Sequence, residues 1–364
     1  MSHIPRQITT LRATSVIIST VIGVNILSFP RYMANAGGSG APLVAIGGTA
    51  LAFIGLLPSV LLCQRFPREN LFLFSRRLIG RVPADLLTAV VCLLFLVVTA
   101  LTARQFGEVA LIVLFRKTPI EAVILILLLL CLFASRRGVI KFAQIHFFYL
   151  PLIILPLAGI ILASLRDIDH LNLLPVISGN AHSFFKGSVA ASSLYQSSFI
   201  FILLIPFMKR PRRTLGVMSA AVGTIGILYA LIAASVVGMF GAEETKLLFY
   251  PTLEAARSTS IGGNVLERLD ALFIIIWVFS VFTSAYSTFY LSVYSLRTLL
   301  SLRDQRSAGS FLLPVVFLLS LVPKNIFETY SAAYSIALAN LYIMIYPLVL
   351  YVVAVVRKKR GTPQ

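Results

Sequence analysis

The stretch Gly23–Pro30 places glycine, asparagine, serine and proline inside the first long apolar segment of the chain. Glycine and asparagine tolerate non-helical backbone, and proline lacks the amide that a continuing helix would donate. These residues predict an interrupted helix with free backbone groups. Inside a membrane, such groups are stable only where they line a cavity or bind something. The alternative is a simple proline kink in a packed helix.

A second group of polar residues precedes the apolar run Phe199–Phe207. Its members are Gly187, Ser188, Ser192, Ser193, Tyr195, Gln196, Ser197 and Ser198. Hydroxyls and an amide weaken a helix here and provide donors and acceptors for a small polar solute. The alternative interpretation is that the small serines allow two helices to pack closely.

Both stretches lie in a chain with the composition of a membrane protein. Its apolar fraction is 58% and its charged fraction is 12%, whereas soluble domains are about 25% charged. Continuously apolar runs such as Val123–Leu132 favour spanning helices over the alternating strands of a barrel. We predict one all-α integral membrane domain over residues 1–364. Its ten spans lie near 11–35, 41–64, 84–114, 119–135, 143–165, 182–208, 214–240, 269–298, 308–323 and 331–356.

The net charge of +18 is distributed on one side of this predicted topology. With the N-terminus inside, the inner segments carry most of the basic residues and only Glu69, Asp85 and Asp304 as acidic ones. The positive-inside rule then places both termini in the cytoplasm. We therefore attribute the charge to orientation and to attraction by the anionic lipid bilayer, and we expect no nucleic-acid partner.

Spans one and six are the first helices of two five-helix halves. Interrupted segments at matching positions indicate an inverted-repeat transporter fold with a ligand site at the midplane. No Asp, Glu, Lys or Arg lies at the centre of a predicted span, so a midplane carboxylate is not expected to carry protons, whereas sodium bound by carbonyls and hydroxyls stays open. Arg104 and Glu108 form either an interfacial pair or part of an outer vestibule. Cysteines and histidines show no ligand spacing, and we expect no metal and no cofactor.

The segment after span seven carries a further pattern. We interpret Tyr250–Glu254 and Ser260–Gly263 as an outer lid or a partner surface, and Glu267 and Asp270 as caps of span eight. Gly23–Pro30 is similar to the G-x-G-I-L-x-x-P signature of amino acid–polyamine–organocation transporters. Together with Tyr250–Glu254 and the block Glu267–Val278, it resembles the spore germination permeases, the B-type membrane subunits of endospore germinant receptors.

This resemblance covers essentially the whole chain and implies a LeuT-like fold in the inner membrane of a spore. It also implies an A-type membrane subunit and a C-type lipoprotein subunit as partners, and a small germinant such as an amino acid, sugar or nucleoside as ligand. Two positions depart from the pattern. Asn25 stands where the superfamily often has glycine, and Gln196–Ser197 stand near an expected Gly-Glu pair.

We predict a nutrient-sensing subunit without enzymatic activity. Its predicted ligand-binding residues are Gly23, Asn25, Ile26, Leu27, Ser193, Gln196, Ser197, Phe279 and Thr283. The alternative is a secondary transporter for amino acids or related solutes, built on the same fold. A channel would need a polar stripe along several helices, and an enzyme would need a catalytic constellation at membrane depth.

Overall fold

The computed structural model describes residues 7–67, 69–115, 117–176, 180–259, 269–302, 304–339, 341–359 and 361. These residues form fifteen α-helices, with short 3₁₀ segments between some of them. The helices are α1 (Thr10–Val21), α2 (Phe29–Gly37), α3 (Ala41–Arg65), α4 (Leu71–Ile79), α5 (Arg81–Val113), α6 (Ile120–Ser135), α7 (Val139–Ser164), α8 (Ala181–Ser193), α9 (Phe201–Leu204), α10 (Thr214–Leu247), α11 (Pro251–Ser258), α12 (Leu269–Leu299), α13 (Gln305–Ser320), α14 (Ile326–Ala339) and α15 (Leu341–Val356).

Seven helical segments of the described residues are long and apolar enough to cross a membrane. They are Phe29–Arg65, Arg81–Val113, Val139–Ser164, Ala181–Phe207, Pro211–Leu247, Phe273–Leu299 and Ile326–Val356. The helices α1 and α6 are shorter apolar helices. The predicted spans fall on α1 with α2, α3, α5, α6, α7, α8 with α9, α10, α12, α13, and α14 with α15.

The helix ends differ from the predicted spans where local groups begin or end a helix. The prediction omits α4. Asn70 caps this helix, since its side chain accepts the amide of Phe72 at 3.0 Å. Gly80, at φ 89°, separates α4 from α5, so α5 begins three residues before the predicted span. The predicted seventh span ends at residue 240. In the structure, Gly241, at φ 76°, interrupts the helical backbone there, and α10 continues beyond it to Leu247.

The first span is interrupted as its sequence predicts. The helix α1 ends at Val21, a 3₁₀ turn covers Val24–Leu27, and α2 begins at Phe29. Gly23 has φ −105° and ψ −135°, which no helix contains. Pro30 lies in the first turn of α2, where a missing amide costs nothing. The proline therefore starts the second half-helix and does not kink a continuous one.

The sixth span is interrupted differently, because its α-helix changes to a 3₁₀ helix and does not become extended. A 3₁₀ helix, Leu194–Ile200, joins α8 to α9, and its flanking residues Ser193 and Phe201 keep right-handed helical angles. Seven residues exceed the usual 3₁₀ length of three to four. The hydroxyls of Ser192 and Ser193 bond to carbonyls three residues earlier, at 2.7 and 2.6 Å. Such side-chain bonds compete with regular α-helical pairing.

Candidate functional site

The break in span one is held by hydroxyl groups of α12. Thr283 Oγ1 donates to the Ser19 carbonyl at 2.9 Å, and Ser284 Oγ donates to the Thr20 carbonyl at 2.7 Å. The end of α1 leaves these carbonyls without amides from a next turn. The same arrangement recurs at Ser280 with the Ile22 carbonyl, Tyr229 with the Val21 carbonyl (3.1 Å) and Thr252 with the Ile26 carbonyl (2.7 Å). The non-helical backbone is therefore stable in an apolar setting.

A buried histidine links three helices just before this break. His146 of α7 lies within hydrogen-bond distance of Ser19 Oγ through Nδ1, at 2.6 Å, and of Ser287 Oγ through Nε2, at 3.1 Å. Ser287 Oγ also lies 2.6 Å from Thr20 Oγ1. No sequence pattern indicates this cluster, because apolar residues flank the histidine directly and its partners come from α1 and α12.

A cavity of about 390 Å³ lies on the other side of the break, between α2, α5, α8 and α14. Its polar lining residues are Asn25, Tyr32, Asn35, Thr102, Gln105, Ser183, Lys186, Ser193, Gln196 and Tyr334. Lys186 and Tyr334 are exposed, whereas Ser193 and Gln196 are buried. The cavity therefore runs from the protein surface down to the interrupted parts of spans one and six.

Gln196 lines this cavity and carries an unpaired acceptor. The residue is 8% exposed, and its Oε1 atom has no hydrogen-bond partner among the described residues. A buried acceptor left unpaired costs about 1–3 kcal/mol. Asn25 lines the same cavity from the 3₁₀ turn of span one. An amide from each interrupted span thus faces the same space.

The structure brings together only some of the predicted site residues. Asn25, Ser193 and Gln196 line the cavity, and Gly23 forms the break beside it. The others lie elsewhere. Ile26 lines a small apolar cleft with Trp277, Leu27 is buried in the core, and Ser197 is half-buried and does not line the cavity. Phe279 stacks on Tyr149 at 5.2 Å, and Thr283 bonds to the Ser19 carbonyl at the end of α1. The last five therefore do not contact the space that the first three share.

The helix α5 contributes polar groups that are absent from the predicted set of ligand-binding residues. Thr102 and Gln105 line the main cavity, and Glu108 lines a small chamber next to it. These residues are spaced three apart, which places them along one side of a helix. This three-residue spacing is the sequence pattern from which a polar side of α5 could have been predicted. Arg104 and Glu108 form a buried ion pair at 2.9 Å, and only Glu108 of the two lines the chamber.

The predicted outer lid begins with α11. Thr252 is fully buried, and its bond to Ile26 attaches α11 to the broken span. Ser260–Gly263 and Glu267 lie outside the described residues, and so does the side chain of Asp270.

A family model described as "Spore germination protein" matches residues 7–329 of the chain. The chain belongs to the spore germination permease family. Spore germination protein YndE of Bacillus subtilis is 26% identical over 356 residues, covering 97% of this chain and 98% of the relative. Spore germination protein B2 of the same organism is 25% identical over 362 residues, covering 98% of each chain. This spore germination permease is a multi-pass membrane protein.

Solved structures identify the fold of this permease. The transporter MhsT, solved in complex with L-phenylalanine, superposes with a TM-score of 0.71 at 14% identity and covers 97% of this chain and 98% of its own. Mhp1, a nucleobase–cation symporter, gives a TM-score of 0.67 at 14% identity over 93% of this chain and 78% of its own. The predicted all-α, LeuT-like fold with interrupted spans one and six is confirmed. Family and structural neighbours are permeases and transporters, not enzymes.

Proposed function

We propose that this chain is the membrane subunit of a spore germinant receptor and binds a small nutrient in the cavity beside the broken first span. The cavity itself carries the proposal, because it is lined by an amide from each interrupted span, Asn25 and Gln196, and Gln196 Oε1 has no hydrogen-bond partner among the described residues. A volume of about 390 Å³ lies within the range of small-molecule sites, about 300–1,000 Å³. An amino acid, a nucleoside or a sugar carries the donors that Gln196 and Asn25 can pair with.

Contacts at the other end of the interrupted spans support a receptor that changes conformation. Ile8 pairs with the end of span six, donating to the Phe207 carbonyl at 3.1 Å and accepting the Lys209 amide at 2.9 Å. The α12 hydroxyls of Ser280, Thr283 and Ser284 bond to carbonyls at the end of α1. We assign this arrangement, with its cavity reaching the surface at Lys186 and Tyr334, to one of two states that ligand binding can bias. Ligand contacts to both α2 and α8 would favour closure around the nutrient.

In the proposed setting, the permease lies in the inner membrane of the spore with both termini in the cytoplasm. An A-type membrane subunit and a C-type lipoprotein subunit would sense the difference between the open and closed arrangements. The basic residues of the inner segments support this orientation through the positive-inside rule. The open cavity then faces outward, toward arriving nutrients.

Binding and uptake by the purified chain in liposomes test this function. A panel of labelled amino acids, nucleosides and sugars is offered to the wild type and to Asn25→Leu. Saturable binding without uptake, lost in the variant, is the expected result. Concentrative uptake would make the chain a transporter, a function favoured by its similarity to transporters such as MhsT. Binding that requires added partner subunits would contradict recognition by this chain alone.

A further inference from the structure

Glu108 has one carboxylate oxygen in use and one free. Oε1 accepts from Arg104 Nε at 2.9 Å and from Thr329 Oγ1 at 2.8 Å. Oε2 is buried and has no hydrogen-bond partner among the described residues. The side chain is only 9% exposed. An unpaired, buried carboxylate oxygen costs more free energy than most arrangements in a folded protein. We therefore expect a bound group to pair with this atom.

Glu108 lines a small chamber that lies next to the main cavity. The chamber has a volume of about 10 Å³, which accommodates one atom-sized group. Asn25, Tyr32 and Gln105 line both spaces, so the chamber lies directly beside the nutrient cavity. These side chains separate a group in the cavity from the chamber that Glu108 lines.

Aromatic rings and neutral oxygens complete the chamber. Tyr32, Tyr250 and Tyr330 contribute three phenol rings, and Ser28 contributes a hydroxyl that bonds to Tyr330 at 2.8 Å. Burial, together with the neighbouring Tyr330 and Glu108, raises the pKa of Tyr250, so this phenol stays neutral. Aromatic faces and carboxylate oxygens both attract cations.

Two positive side chains near the chamber are already engaged. Arg104 pairs with Glu108. Arg31 donates to the Lys246 carbonyl at 3.0 Å and lies over the Phe249 ring at 4.8 Å. Their charge opposes a further cation, so the affinity of the chamber for a cation is expected to be weak and sensitive to salt.

We propose that Glu108, Asn25 and the three tyrosines form a subsite for a small monovalent cationic group. The group is either the ammonium of the nutrient, reaching in from the main cavity, or a free inorganic cation. The ammonium form rests on the proposed function, whereas the free-cation form does not. Either occupant gives Glu108 Oε2 the partner that the protein itself does not provide.

Thermal unfolding of the full chain in lipid nanodiscs tests this subsite without a known nutrient. Trp277 is the only tryptophan of the sequence, and its ring lies 5.9 Å from Phe106, two residues from Glu108. Its fluorescence reports unfolding while sodium, potassium or methylammonium chloride replaces choline chloride at constant ionic strength. Choline is too large for the chamber and provides the reference.

We expect a saturable rise of the unfolding midpoint with a small cation, lost in Glu108→Gln and kept in Glu121→Gln, an exposed glutamate on α6. A response to sodium or potassium identifies a free-cation site, and a response to methylammonium alone identifies an ammonium subsite. If Glu108→Gln does not fold, Tyr250→Leu removes a ring while keeping the carboxylate and should weaken the response.

Equal midpoints in all four salts, or a response that survives Glu108→Gln, would overturn the proposal and leave Oε2 merely hydrated. Nutrient binding is measured separately with labelled compounds and Asn25→Leu. A chain that binds nutrient without any cation response retains the proposed function and loses the subsite. A chain that shows the cation response but binds no nutrient retains the subsite and loses the proposed function.

Discussion

Gly23 lies so close to Ser284 of α12 that a Cβ atom at position 23 would overlap the serine side chain. The glycine therefore allows two helices to approach at the break of span one. This contact lets Ser284 reach the Thr20 carbonyl at 2.7 Å. Glycine at position 23 therefore allows both the non-helical backbone and the close packing against α12.

Gly23→Ala is expected to destabilise the protein. The added methyl group meets both Cβ and Oγ of Ser284, and such overpacking costs about 1–3 kcal/mol. The unfolding midpoint in detergent, followed by Trp277 fluorescence, should fall. Gly159→Ala is the matched control, because nothing lies within 4 Å of the position of its added atom. An unchanged midpoint for Gly23→Ala would contradict the close contact.

Some predicted site residues face the cavity and their neighbours do not, because 3₁₀ helices repeat every three residues. Ser193 and Gln196 are three apart and face the same side, toward the cavity, whereas Ser197 is turned away by about 120°. The same rotation separates Asn25 from Ile26 in span one. The sequence identifies the polar stretch, but the facing side depends on whether the helix is α or 3₁₀.

Gln196→Leu should weaken nutrient binding by about tenfold or more, since a ligand donor would then face an apolar group. Ser197→Ala should leave binding unchanged, because this neighbour does not line the cavity. Equilibrium binding of whichever labelled nutrient the wild type binds provides the measurement. Equal losses in both variants would place the ligand elsewhere along the span.

Thr252→Val should loosen α11 from the broken span. The variant keeps the side-chain shape but leaves the buried Ile26 carbonyl without its hydroxyl donor, at a cost of about 1–3 kcal/mol. Hydrogen–deuterium exchange should increase in α11. Thr224→Val is the control, since Thr224 is only half-buried and its hydroxyl bonds to the Ala220 carbonyl of its own helix. Unchanged exchange in α11 would contradict its attachment through Thr252.

The sequence predicts features within one segment better than features shared between segments. Gly23 and Pro30 act on their own backbone, so the first interruption can be predicted from local chemistry. Gln105 becomes a cavity residue only because α8 and α14 line the same space as α5. The hydroxyls of α12 likewise reach carbonyls more than 250 positions away in the chain. Such pairings depend on packing, and no local pattern encodes the partner.

His146 is expected to carry its proton on Nδ1. Ser19 Oγ donates to the Ser15 carbonyl at 2.7 Å, so it accepts from the His146 Nδ1–H. Nε2 then accepts from Ser287 Oγ, which in turn accepts from Thr20. One continuous chain of bonds thus joins α1, α7 and α12, and each hydroxyl donates once.

Nitrogen-15 NMR of histidine-labelled protein measures this tautomer directly, with His146→Gln identifying the signal. A proton found on Nε2 would reverse the chain and require Ser19 to abandon the Ser15 carbonyl. The same network predicts that His146→Phe lowers the unfolding midpoint, because Ser287 then lacks its acceptor in a fully buried position. His182→Phe, at an exposed position near the start of α8, should leave the midpoint unchanged.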